Sequence, residues 1–123
     1  MVNKKKEEFF ERMLNFFPSL DEAYRKSILD YGEVLETVVI EDIFMPEIIE
    51  LLRKEQNINL VKRIFDYFEE VSNDQNIHLR NLLSSTVLEK LGDDKDVLKA
   101  AKKYMGLKTT QLQVEADRLL GRT

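Results

Sequence analysis

Apolar side chains recur at spacings of three and four along almost the whole chain, and strand-like alternation is nearly absent. That period is the signature of amphipathic helices and constrains this chain to an all-α fold more strongly than any other feature. Phe9, Phe10, Met13, Leu14 and Phe17 mark a first helix over about 4–16, stopped by Pro18, because a proline disfavours the helical region in the residue before it. Ser19 or Asp21 can cap a second, about 21–31, which carries Leu20, Ala23, Tyr24, Ile28 and Tyr31 to a left-handed stop at Gly32. Val34, Leu35, Val38, Val39 and Ile43 continue the period, but β-branched residues at 38–40 lower helix propensity and Pro46 is disfavoured inside a helix. A break is therefore expected at Asp42 to Met45, with Pro46 opening a new helix.

Beyond residue 56 the pattern is more regular. Asn57-Ile58-Asn59-Leu60 is echoed nineteen residues later by Asn76-Ile77-His78-Leu79, and each opens an amphipathic stretch. The polar link Ser72-Asn73-Asp74-Gln75 is short enough to make these two helices antiparallel. Asp93-Asp94 starts a helix that stops at Gly106, and a last helix over about 108–120 carries a weaker stripe of Leu112, Ala116, Leu119 and Leu120, with an end expected to fray. The resulting expectation is a single domain over 1–123: a compact bundle of six to seven antiparallel helices, or a short HEAT-like stack of helical repeats.

Charge is unevenly placed. The chain has 19 Lys and Arg against 23 Asp and Glu, for a net charge of −4. Residues 27–52 hold seven of those acids, Asp30, Glu33, Glu36, Glu41, Asp42, Glu47 and Glu50, and no Lys or Arg, while the rest of the chain carries more basic than acidic residues. Like charges three or four apart on a helix cost a few tenths of a kcal/mol per pair. Such a block is better explained by a basic partner than by folding alone. These seven acids, with Tyr31 as an aromatic anchor, are the candidate partner-binding residues; six aromatics within the first 31 residues are more than one stripe can hide, and Phe16 is the other expected exposed ring.

Other function classes find less support. The absence of cysteine removes thiolate chemistry and thiolate metal sites. No calcium-binding loop or paired Glu-x-x-His motif is present, and the lone His78 reads as a surface or cap residue. Ser84-Ser85-Thr86 lies mid-helix without a nucleophile turn, and no glycine loop is built to cradle phosphate. No catalytic residue, metal or cofactor is expected. Lys95, Lys99, Lys102 and Lys103 form a small basic face, but bordering aspartates and a pI of about 5.1 argue against nucleic acid. The basic start, Met1-Val2-Asn3-Lys4-Lys5-Lys6, is followed at once by Glu7 and Glu8 rather than an apolar segment, so neither a secretion signal nor a membrane span is expected. A cytoplasmic location suits such a chain, and nothing in it sets an oligomeric state.

Phe16-Phe17-Pro18, Asp30-Tyr31-Gly32-Glu33-Val34-Leu35, and Val87-Leu88-Glu89-Lys90-Leu91-Gly92-Asp93 leading to Met105-Gly106 together resemble a family of small, acidic, all-helical bacterial proteins of uncharacterised function. The likeness spans about residues 9–106. Relatives of this kind are similar to immunity proteins of polymorphic-toxin and contact-dependent inhibition systems. The resemblance implies a protein that binds and neutralises a basic toxin domain. The competing expectation is a helical-repeat-like cytoplasmic scaffold or regulatory module with no toxin partner.

Overall fold

A computed structural model describes residues 4–122, and the first three residues of the basic start lie outside it. Helix α1 (Lys4–Phe16) turns Phe9, Phe10, Met13 and Phe16 inward. Phe17 leaves the helical region at φ −129°, ψ 71°, as a following proline favours, before a 3₁₀ turn at Pro18–Leu20. Helix α2 (Asp21–Tyr31) has neither Ser19 nor Asp21 as its cap; Leu20 holds that position without a side-chain bond. It ends as expected at Gly32, φ 75°, whose N–H donates to Ile28 O at 2.8 Å.

The expected break at Asp42 to Met45 does not occur. Residues 36–54 form one helix, α3, built from the α-helical turns Glu36–Val39 and Met45–Lys54 joined by a π-helical turn at Ile40–Phe44. There the Met45 N–H reaches back to Ile40 O, one residue further than in an α-helix. The wider turn accommodates Pro46, whose ring would otherwise press on the carbonyl of Asp42. It also keeps Val39, Ile40, Phe44, Met45, Ile48 and Leu52 all buried, so the β-branched run contributes to the core rather than ending the helix.

After left-handed Glu55 and Asn57, both at φ 51°, α4 (Ile58–Asn73) crosses the core with Val61, Ile64, Phe65, Phe68 and Val71 buried. The next helix, α5 (residues 77–91), carries a second π-helical turn at Leu83–Leu88 that nothing in the sequence announced. Ser85 Oγ donates to Asn81 O at 2.7 Å and Thr86 Oγ1 donates to Leu82 O, so side-chain hydroxyls serve carbonyls at the shifted register. The two π turns lie against one another. The Asn-Ile-x-Leu echo is not a structural repeat. Asn76 is extended and its side chain accepts from the N–H groups of His78 and Leu79 at 3.0 and 3.1 Å, whereas Asn57 is left-handed and makes no such bond.

Helix α6 (Lys95–Lys102) is capped by Asp94, which accepts from the Asp96 and Val97 N–H groups at 2.9 and 3.2 Å. Helix α7 (Leu107–Leu119) contradicts its expected stripe: Thr109, Gln113, Ala116 and Asp117 face inward, while Leu119 is 86% exposed. The end of α7 is tied down. Arg122 donates to Glu89 O at 2.9 Å and pairs with Asp93 and Asp117 across Gly92, where a Cβ would stand 2.4 Å from the Arg122 guanidinium. Gly92 is thus a place of close approach, at φ −74°, and not a left-handed stop. Among the described residues there are seven helices, no strand, and one shared apolar core; none of these helices is long and apolar enough to cross a membrane.

Candidate functional site

The acidic block is divided among three elements. Asp30 lies near the end of α2, Glu33 in the link that follows Gly32, and the other five acids on α3. Because the left-handed turn at Gly32 ends α2, Asp30, Glu33 and Glu36 do not form a single helical ridge. Glu47 and Glu50 do share one helix face at a spacing of three.

Three of the seven are paired. Lys26 Nζ lies 3.5 Å from Asp30, and Lys54 Nζ lies 2.8 Å from Glu50. The hydrogen bond and charge of Lys54 hold the Glu50 carboxyl below the usual range. Lys6 Nζ reaches both Glu36 oxygens, at 3.2 and 3.1 Å, which joins α1 to the start of α3. Glu33, Glu41, Asp42 and Glu47 have no ion-pair partner among the described residues. Tyr31 is 57% exposed, as expected. Phe16 is not: it is buried, packed against the Tyr67 ring, with the Arg12 and Arg63 guanidiniums each 5.7 Å from its centroid. Two arginine stems shield the ring that composition alone left without cover.

Next to the first part of the block runs an open groove of about 550 Å³. Residues 34–38 form one wall, with the Lys6–Glu36 pair in it. The other wall is the outward face of α5, where His78, Asn81 and Ser85 follow one another at spacings of three and four over a floor of Leu82 and Thr86. Sequence reasoning missed this groove because its walls lie some 40 residues apart. The available signal was the polar stripe itself, His78-x-x-Asn81-x-x-x-Ser85, which on its own reads as solvated surface. Ser85 Oγ is engaged with a helix carbonyl, so the groove offers hydrogen bonding and charge rather than a nucleophile held by a base.

A second cleft, about 260 Å³, lies between α1 and α4. Its charges are partly matched: Lys5 stands 3.4 Å from Asp74 and 3.9 Å from Glu8, the Arg12 guanidinium sits 4.4 Å over the Tyr67 ring, and Glu11 and Glu70 add further negative charge. Burial pushes the Tyr67 phenol up to about 12, so it stays protonated across the physiological range. Among the described residues, no group of three or more His, Cys, Asp or Glu is placed to hold a metal ion. Lys95, Lys99 and Lys102 are exposed along α6, and Lys103 pairs with Glu55 at 3.7 Å.

Residues 10–121 match the model of a family described as a domain of unknown function (DUF7674), and the chain belongs to that family. The matched span includes both walls of the groove and the whole acidic block. No curated protein and no solved structure matches the chain.

Proposed function

We propose that this protein is a binding domain that docks a basic protein partner through its acidic block, in the manner of an immunity protein neutralising a toxin domain. The observation that carries this reading is that four of seven acids in a stretch devoid of Lys and Arg, namely Glu33, Glu41, Asp42 and Glu47, have no cation beside them among the described residues. Glu33 and Asp42 are exposed and Glu41 and Glu47 half-buried; carboxylates left uncompensated at a surface give folding little, but they steer an oppositely charged surface and accelerate encounter by orders of magnitude at low salt. A toxin that binds phosphates presents such a surface. Binding alone explains these residues, and no catalytic step is assigned to them.

The test is to isolate partners at low and moderate salt, identify them by mass spectrometry, and follow association by stopped flow. With Glu33, Glu41 and Glu47 all changed to Lys, the association rate at low salt should fall at least about ten-fold, and the gap should close as the Debye length shrinks to about 8 Å. An unchanged rate removes the acidic block from the mechanism.

A scaffold or regulatory module is the second reading, favoured by the outward apolar residues of α7, Leu107 at 74% and Leu119 at 86% exposure. An apolar docking face predicts binding that is nearly indifferent to salt.

A further inference from the structure

The cleft between α1 and α4 is lined by two helix faces of matching period. Glu8, Glu11, Arg12 and Asn15 of α1 stand at i, i+3, i+4 and i+7, and Tyr67, Glu70 and Val71 of α4, with Asp74 just beyond it, repeat that spacing across the gap. Four carboxylates face two cations, a net charge of −2. Lys5 serves Asp74 and Glu8, whereas Glu11 and Glu70 have no ion-pair partner among the described residues. The Arg12 guanidinium lies over the Tyr67 ring, 4.4 Å from its centroid, and makes no ion pair with them. Tyr67 supplies an independent sign of a ligand. It is only 7% exposed, with its ring packed on Phe9 and Phe16 at centroid distances of 5.9 and 6.2 Å, yet its hydroxyl has no hydrogen-bond partner among the described residues and opens onto the cleft instead of being sealed inside. Burial is the main cause of its raised pKa, but Glu8, Glu70 and Asp74 each push it the same way, against Arg12, so these carboxylates lie around the phenol.

An ammonium group fits this set. It is a compact charge with three donors and can serve the phenol oxygen and two carboxylates at once, whereas a guanidinium is planar and finds the Tyr67 face already covered by Arg12. At about 260 Å³ the cleft is smaller than those that enclose drug-sized ligands, and it suits one side chain. We propose that it receives the side-chain ammonium of a lysine on the basic partner, which donates to the Tyr67 oxygen and to Glu70 and Glu11. The inference rests on the charge-driven reading above and adds to it a contact outside residues 27–52.

The experiment titrates the ¹⁵N-labelled protein at low salt with Nα-acetyl-lysine methylamide, and in parallel with the matching norleucine and arginine compounds. The expected result is amide shifts at Glu8, Glu11, Tyr67, Glu70 and Val71 that saturate with the lysine compound, are weaker with arginine and are absent with norleucine. Tyr67→Phe, which removes a hydroxyl that holds nothing within the protein, should raise the Kd about ten-fold. Glu70→Gln is the second variant should the first lose its helical spectrum, with an expected rise of about ten-fold at low salt that shrinks as salt is added. Equal shifts with norleucine, or a lysine Kd unchanged by both variants, would overturn the ammonium site. Equal binding of the arginine compound would overturn the choice of lysine. No shift at these residues with any compound would remove the cleft and leave docking through the acidic block standing, since that is read separately from the association rate with Glu33, Glu41 and Glu47 changed to Lys.

Discussion

Helices α4 and α7 pack against each other, yet they are held by opposite chemistry. The buried face of α4 is mostly apolar: Val61, Ile64, Phe65, Phe68 and Val71. The buried face of α7 repeats at the same helical spacing but consists largely of Thr109, Gln113 and Asp117, while Leu107, Val114 and Leu119 point outward. Direct hydrogen bonds replace area. Glu69 of α4 accepts from the Lys108 and Thr109 N–H groups at 3.1 and 2.9 Å and from the Thr109 hydroxyl at 2.9 Å, which caps α7 from a neighbouring helix. Ser72 and Thr109 share a buried hydrogen bond of 3.0 Å, and Gln113 Nε2 donates to Leu88 O at 3.0 Å. Gly106 is required by the same cap: a Cβ there would lie 2.5 Å from the Glu69 carboxyl carbon. Most inward polar groups of α7 are satisfied in this way, Gln113 Oε1 being a buried exception, and the helix packs with few buried apolar side chains and leaves its leucines free for other uses.

The largest effect that tests this contrast is expected in α4. Phe68→Ala opens a cavity at a fully buried ring that meets Phe65 at 5.2 Å, and urea unfolding should show a loss of about 3–5 kcal/mol. A loss smaller than that from breaking the cap would mean that the polar contacts, rather than the apolar stripe, dominate this interface.

Glu69→Gln comes next, with an expected loss of about 1–2 kcal/mol near neutral pH. Partial burial pushes the Glu69 carboxyl up, but the Thr109 and Lys108 N–H groups, with the Thr109 hydroxyl and the Asn73 amide, outweigh it and hold the carboxyl below its ordinary 4.5. A group whose folded pKa is depressed contributes its full stability above the unfolded value and loses it as pH falls through the folded one. The difference between wild type and Glu69→Gln should therefore be constant above about pH 5 and shrink below 4.5, as seen in urea midpoints across pH. A difference independent of pH would show that the charge on Glu69 is immaterial to the cap.

The smallest effect belongs to the outward face. Leu119→Ser should change stability by no more than about 0.5 kcal/mol in urea, since this side chain is nearly as exposed in the folded protein as out of it. A larger loss that varies with protein concentration would show that another chain covers this face in solution.

The same contrast explains what could be read before the structure. Helices α1, α2 and α4 were legible to within a residue or two, as was the start of α6, which ends at Lys102 rather than at Gly106; in α1, α4 and α6 local periodicity reports burial because the burial is apolar, whereas α2 buries only Ser27 and was legible through its boundaries at Pro18 and Gly32. In α7 the inward residues are polar, so the stripe that periodicity finds, Leu112, Ala116, Leu119 and Leu120, mixes residues on both faces. In α3 the irregular point was read at the right place, 42–45, but a π turn and a break share the same local signal of β-branched residues and proline. The acidic block was fully visible as composition. Its division by Gly32, and the pairing of Glu36 with Lys6 thirty residues away, were not.

By itself the sequence determined an all-helical chain, the starts and stops where Pro18, Gly32 and Asn76 act through local backbone chemistry, and the concentration of negative charge over residues 27–52. These follow from neighbours along the chain. Only the tertiary structure decided which acids lack partners, that Glu69 caps α7, and that residues 34–38 and the His78–Ser85 face of α5 enclose a groove. The physical reason is range: helix propensity and capping act within about four residues, whereas ion pairs, cross-helix caps and grooves depend on side chains brought together from 30 to 40 residues apart.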